Sequence, residues 1–194
     1  MIFKFGDYTP VVHPTAFVHP QATVTGNVII GADVYIGPSA SLRGDFGAII
    51  LRDGCNVQDN CTIHMFPGVT VLLEEGAHIG HGAIIHGAQV GKNVLVGMNA
   101  VVMDEVKIGE DSIIGALSFV KAKTIIPAKS LFAGNPGKVI RELSEEQIKW
   151  KAEGSGLYRT LPDRYRVNPE EVEPLSEVPE NWKVQDGGYS TWKG

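Results

Sequence analysis

Six histidines, His13, His19, His64, His78, His81 and His86, are the residues whose type and spacing can carry chemistry, and four of them fall within 64–86. A neutral imidazole serves as a metal ligand, a general base or a proton shuttle, according to what surrounds it. Polar and charged residues lie just upstream: Arg43, Asp45, Asn56, Gln58 and Asp59. Three converging imidazoles would leave a divalent ion its net charge and an open position. Such an ion lowers the pKa of a bound water from about 15.7 toward roughly 7. A lone general base in a cleft would need one histidine and no metal. The choice between these depends on the elements that position the side chains.

Those elements form a repeat. Written in sixes from Val12, the chain has an aliphatic residue at every first position: Val12, Val18, Val24, Ile30, Ile36 and Leu42. After a three-residue insertion come Leu51, Val57 and Ile63, and after a four-residue insertion Leu73, Ile79 and Ile85. One residue is then lost before Val90, Val96, Val102, Ile108, Ile114 and Val120. The fifth position is slim, as at Ala22, Cys55, Cys61, Ala83 and Ser112, and glycine recurs at the second, as at Gly31, Gly80 and Gly97. A period of six is neither helical nor a simple alternation. It suits a short strand and a corner, and three such edges close a triangular coil of 18 residues. The pattern predicts an all-β fold over 1–125, a left-handed parallel β-helix (hexapeptide repeat), with glycine easing the turns.

Residues 126–156 read as a connector and a C-terminal α-helix packed on the prism. Ser144 can cap the helix, Gln147 completes a capping box, and Leu143 and Ile148 are spaced as a staple. Glu145 and Glu146 suit the positive end of the helix, and Gly154 and Gly156 are expected to end it after about ten residues. Residues 157–194 are rich in Pro, Glu and Gly and read as an extended tail.

The repeat places the histidines. His64 and His86 hold second positions one coil apart, once the four-residue insertion is allowed for, so they stack on one outward column. His81 holds a third position on the preceding edge. The same prism cannot readily fold His81 round the corner onto the others, but a neighbouring copy can supply it. Three prisms about a threefold axis would form a homotrimer with three equivalent metal sites, built from His64 and His86 of one subunit and His81 of the next. Arg43 belongs to the His64 column and Asp59 to the His81 column, so the two can pair across that interface. Asp45, Asn56 and Gln58 fall close enough to orient ligands or a water. Met65 and Phe66, beside His64, read as an apolar wall for an acyl group. His78 reads as structural, Cys55 and Cys61 as buried core, and His13 and His19 carry no assigned role.

Bulk properties narrow the partners. A net charge of −5 without a dense basic run argues against nucleic acid. The absence of a long apolar run argues against a membrane span, and the absence of an apolar leader gives a cytoplasmic expectation.

Three segments carry a family resemblance: Arg43-Gly-Asp45, the stretch from Asn56 through Gln58 and Asp59 to His64, and Gly80-His81 through His86-Gly87. They resemble the γ-class carbonic anhydrase family of hexapeptide-repeat proteins. Val96 to Asp104 and Arg141 to Gln147 resemble its branch of phenylacetic acid degradation (PaaY) and carnitine-operon proteins. The resemblance implies that His64, His81 and His86 bind zinc, or iron or cobalt, at trimer interfaces. It also implies that Arg43 and Asp59 form the inter-subunit pair, that Gln58 lies beside the metal-bound water, and that Tyr158 matches a tyrosine near the site. The best-characterised anhydrases of this class carry a glutamate where this chain has Phe46, and an acidic loop where it has Met65-Phe66-Pro67-Gly68. Both assist proton transfer. The branch instead implies a metal-dependent thioesterase acting on acyl-CoA. Carbonic anhydrase activity on CO2 and bicarbonate is the second reading, and a hexapeptide-repeat acyltransferase or a non-catalytic trimeric assembly protein is the third.

Overall fold

An inward aliphatic residue flanked by outward polar ones gives each six-residue repeat a strand of two or three residues. Each strand pairs in parallel with those one coil before and one coil after. The structure, a computed structural model, describes residues 1–183. It is a left-handed parallel β-helix with three faces. The histidine face stacks Ser41–Leu42, Thr62–His64, Ile84–His86, Val101–Val102 and Phe119–Val120. A second face stacks Phe17–Val18, Tyr35–Ile36, Asn56–Val57, His78–Ile79, Leu95–Val96 and Ile113–Ile114. The third runs through Thr70–Leu73, Gln89–Val90, Lys107–Ile108 and Ile125–Ile126. Two longer strands, Thr23–Ile30 and Ser41–Leu51, cross a corner, and the second absorbs the three-residue insertion.

The first-position residues form unbroken ladders inside the prism, all buried from Val24 to Val120. Each contributes about 1.5–3 kcal/mol by leaving water. Cys55 and Cys61 lie among them, and burial pushes their thiols up to about 12 and about 11. They are core residues, as their slim positions require.

The corners correct one expectation. The left-handed residue is the fourth of the hexad, and it is often not glycine: Asp33, Ser39, Asn60, Asn93, Asn99, Glu105, Asp111, Leu117, Lys123 and Lys129 all have positive φ. The second-position glycines answer a different need. A Cβ on Gly91 would lie 2.6 Å from the carbonyl oxygen of Ile108, and one on Gly97 would lie 2.5 Å from the amide nitrogen of Ala116. Close stacking of successive coils, not the turn, excludes a side chain there.

The repeat also continues past residue 125. Ile126 and Phe132 hold first positions and are buried. An aromatic side chain in place of an aliphatic one, after Pro127, hides this last coil from the sequence pattern. Ser130–Gly134 then pairs antiparallel with Gly137–Glu142 and covers the open end.

Helix α1 (Glu145–Arg159) starts with both halves of the expected capping box. It does not stop at Gly154 and Gly156. Each glycine costs about 1 kcal/mol relative to alanine. Along one side of α1 Gln147, Lys151 and Ser155 are buried with hydrogen-bond partners, and the packing of that side on the prism offsets the cost. A second helix, α2 (Leu161–Val167), follows, so the first residues of the expected tail are helical. Its Tyr165 packs on Phe17 and Tyr35, and Arg166 donates to the carbonyls of Pro14 and Ala16. The two helices therefore run back along the second face. Residues 168–183 carry no helix or strand, and the remainder of the tail lies outside the described residues. Among the described residues no helix is long and apolar enough to cross a membrane.

Candidate functional site

Register puts His64 and His86 directly side by side on adjacent strands, with ring centroids 5.5 Å apart. Each ring is held by a carboxylate. His64 Nε2 lies 2.9 Å from Asp45 Oδ1, and His86 Nδ1 lies 2.7 Å from Asp104 Oδ1. A carboxylate oxygen only accepts, so these ring nitrogens donate, and the opposite nitrogens, Nδ1 of His64 and Nε2 of His86, have no partner among the described residues. Burial alone pushes the Asp45 carboxyl up, but hydrogen bonds from Arg43 and His64 more than offset this and hold it below the usual range.

His81 stands on its own column, above Asp59 as the coil spacing requires. Its Nδ1 lies 2.7 Å from Asp59 Oδ2, which leaves Nε2 bare. All three imidazoles thus share one arrangement: one nitrogen fixed by an acid, the other free to bind. Among the described residues no three His, Cys, Asp or Glu side chains converge within the single chain. Inside the chain Arg43 reaches Asp45, at 2.6 Å, while Asp59 holds His81, so the pairing expected between Arg43 and Asp59 concerns only a neighbouring subunit.

Gln58 and Asn56 are buried, and both serve the second face rather than open solvent. The Gln58 amide nitrogen donates to Asn56 Oδ1 at 3.0 Å and to His78 Nε2 at 2.6 Å, and its oxygen accepts from the backbone N–H of His81 at 3.2 Å. Gln58 is therefore a positioning residue for His81. Because His78 Nε2 accepts, its Nδ1 donates to Ser155 Oγ of α1, 3.2 Å away. Tyr158 closes on the same ring, with centroids 4.9 Å apart. Burial, with the nearby Asp59 charge, raises the Tyr158 pKa and keeps it a protonated phenol.

These groups mark one end of a cleft of about 520 Å³ between α1 and the prism. Lys151 also borders it, with its ammonium turned to Asn93 Oδ1 at 2.7 Å and to the Gly76 carbonyl. Burial lowers the Lys151 pKa to about 7.

Comparison with known proteins places this geometry. Residues 87–122 match the model described as bacterial transferase hexapeptide (six repeats). The carnitine operon protein CaiE of Salmonella newport is 48% identical over 179 residues, which cover 92% of this chain and 90% of that protein. The chain belongs to the CaiE family of hexapeptide-repeat proteins. Two solved structures of the same kind superpose closely. One is a Bacillus cereus protein described as an acetyltransferase, 34% identical, with a TM-score of 0.83 over 85% of this chain and 96% of the other. The other is a hexapeptide transferase family protein from Anaplasma phagocytophilum, 32% identical, with a TM-score of 0.81 over 84% of this chain and 97% of the other.

For this CaiE-family chain the structure corrects one sequence-based assignment and adds partners that the sequence did not show. Met65 is not part of an apolar wall, because it points into the prism and is fully buried. Phe46 takes that place: it packs on His64 at 5.5 Å, while Phe66 packs edge-on to His86 at 5.0 Å. His78 is held between Gln58, Ser155 and Tyr158, as a structural histidine would be, and it also borders the cleft. The sequence held one hint: His78 shares its column with Tyr35 and Asn56, a run of polar groups between Phe17 and Leu95. Asp104 was also missed as a partner of His86, although it lies one full coil beyond it.

Proposed function

We propose that three copies of this chain assemble so that His64 and His86 of one subunit and His81 of the next hold a divalent metal, and that the site hydrolyses acyl-CoA thioesters. The supporting observation is the shared arrangement of the three imidazoles, each oriented by Asp45, Asp104 or Asp59 with its other nitrogen bare. Outer carboxylates of this kind fix the tautomer and aim the lone pair of a ligating histidine. The donor set is thus suited to zinc, iron or cobalt. When bound, such an ion supplies Lewis acidity, which makes a water nucleophilic near neutral pH and polarises a carbonyl.

The chain's own residues do the rest. Gln58 fixes the backbone that carries His81, so that the ring's position depends on the second face as well as on Asp59. Phe46 and Phe66 flank the histidine pair and offer an apolar surface beside the thioester carbonyl. Arg43, half-exposed and ion-paired to Asp45, holds that carboxylate against His64 and is placed to meet the partner subunit's Asp59. In the reaction the water oxygen bonds to the carbonyl carbon, the carbon–sulfur bond breaks, and the sulfur leaves with a proton as the thiol.

A second reading, acyl transfer, draws on the description of the Bacillus cereus relative as an acetyltransferase. An acceptor hydroxyl or amine would then replace water at the same carbonyl. The CaiE relatives make carnitine, with its hydroxyl, a natural acceptor to include.

The test is metal analysis of the purified oligomer with parallel assays of CO2 hydration and of acyl-CoA cleavage, with and without carnitine. The expected result is a trimer with one ion per subunit and thiol release that needs no acceptor. His81→Ala should lose the ion and the activity while keeping the β-helix. A metal-free monomer, or turnover unaffected by His81→Ala, would sink the reading; thiol release only with carnitine would favour transfer.

A further inference from the structure

The cleft between α1 and the prism is polar at one end and apolar along the rest. Gln58, His78, His81 and Tyr158 form the polar end. Leu95 and then Ile113 follow His78 in register on the next two coils, and α1 brings Trp150 and Leu157 against them. Two coil steps make this apolar stretch roughly 10 Å long. Its floor is bare for a physical reason. Gly80 and Gly97, which coil stacking keeps free of side chains, lie in the column beside it. Lys151 directs its ammonium to Asn93 and Gly76, so the cleft meets its methylene stem.

The volume is that of a small-molecule site, for which about 300–1,000 Å³ is usual. The lining along Leu95 and Ile113 is mostly apolar and offers few polar partners, which favours a hydrocarbon segment over an amide there. That argues against the amide-bearing arm of CoA and for its acyl group. We propose that this cleft is the acyl-chain subsite, with the thioester carbonyl at the His81 end and a medium-chain saturated acyl group running along Leu95, Ile113 and Leu157. The assignment rests on the acyl-thioester reading above and names the substrate class within it.

The experiment has two arms. In the first, kcat/KM is measured for acetyl, butanoyl, hexanoyl, octanoyl and decanoyl thioesters of CoA. It should rise roughly fourfold per methylene, the worth of one buried CH2, and level off once the cleft is filled. Ala116→Trp, which puts an indole into the cleft, should lower the octanoyl-to-butanoyl ratio at least tenfold. The second arm needs neither turnover nor that variant. Trp182→Phe and Trp192→Phe leave Trp150 as the only tryptophan of the chain's 3. Its emission is titrated with S-octyl-CoA and S-ethyl-CoA, thioethers that cannot be hydrolysed. A saturable change with the octyl compound alone supports the subsite even if no thioester is cleaved, an outcome that would remove the hydrolytic reading only. Turnover independent of chain length, with no Trp150 response to S-octyl-CoA, overturns the subsite and leaves hydrolysis standing.

Discussion

His86 Nδ1 lies 2.7 Å from Asp104 Oδ1, a residue 18 positions and one full coil further along the prism. The pair repeats what Asp45 does for His64 and Asp59 for His81, but it joins a proposed ligand to a coil outside the motif stretch. Asp104→Asn removes the charge and keeps the size. Metal affinity should fall about 10- to 100-fold, the usual consequence of losing an outer carboxylate. Competition with a chromogenic chelator measures it, and undiminished affinity would show that Asp104 does not aim the ring toward an ion.

Phe66 is largely exposed yet packs edge-on to His86. As part of the apolar wall beside the thioester carbonyl, Phe66 should matter to binding: Phe66→Ala should raise KM for an acyl-CoA about fivefold, for roughly 1 kcal/mol of lost apolar contact. The effect on kcat should be smaller. Steady-state kinetics on one thioester decide this, and unchanged constants would remove Phe66 from the site.

The pH dependence of stability follows from His78. Burial, then the Lys151 charge, then His81 lower its pKa from 6.5 to about 3. Between those values the unfolded chain binds a proton that the folded chain does not. The stability tied to this group is therefore complete above pH 6.5 and is lost as the pH falls toward 3, a loss on the order of a few kcal/mol. His78→Asn should flatten that decline. Urea midpoints of both proteins at pH 7, 5 and 4 give the comparison, and parallel declines would count against a buried neutral ring.

Two glycines separate packing from helix propensity. Gly97→Ala should destabilise by about 1–3 kcal/mol, because its methyl meets the backbone of the next coil. Gly156→Ala, where nothing lies within 4 Å of the new Cβ, should stabilise α1 by about 1 kcal/mol. Thermal unfolding of the two variants should shift in opposite directions.

The β-helix, its three faces and the stacking of His64 on His86 were legible in the chain, because side-chain direction in short parallel strands follows from spacing alone. A period of six with aliphatic first positions admits one inward column per edge. The placement of Asp59 beneath His81 followed from the same spacing. So did the burial of Cys55 and Cys61, set by the slim fifth position.

That a helix packs on the prism was legible, but which side chains meet there was not. Nothing periodic links Ser155 or Tyr158 to His78, and the two glycines of α1 read locally as a stop. The helix continues because an apolar and polar face of the prism covers one side of it, a term that local propensity omits. The direction of Met65 was decided in the same way, since an inserted loop leaves the repeat and its side chains then follow packing rather than spacing. The amino-acid pattern by itself thus determined the scaffold and the columns of histidine side chains. Only the tertiary structure decided what covers them, since the cleft, the enclosed His78 and the aromatic pair at the histidines arise where distant segments meet and burial selects the fit.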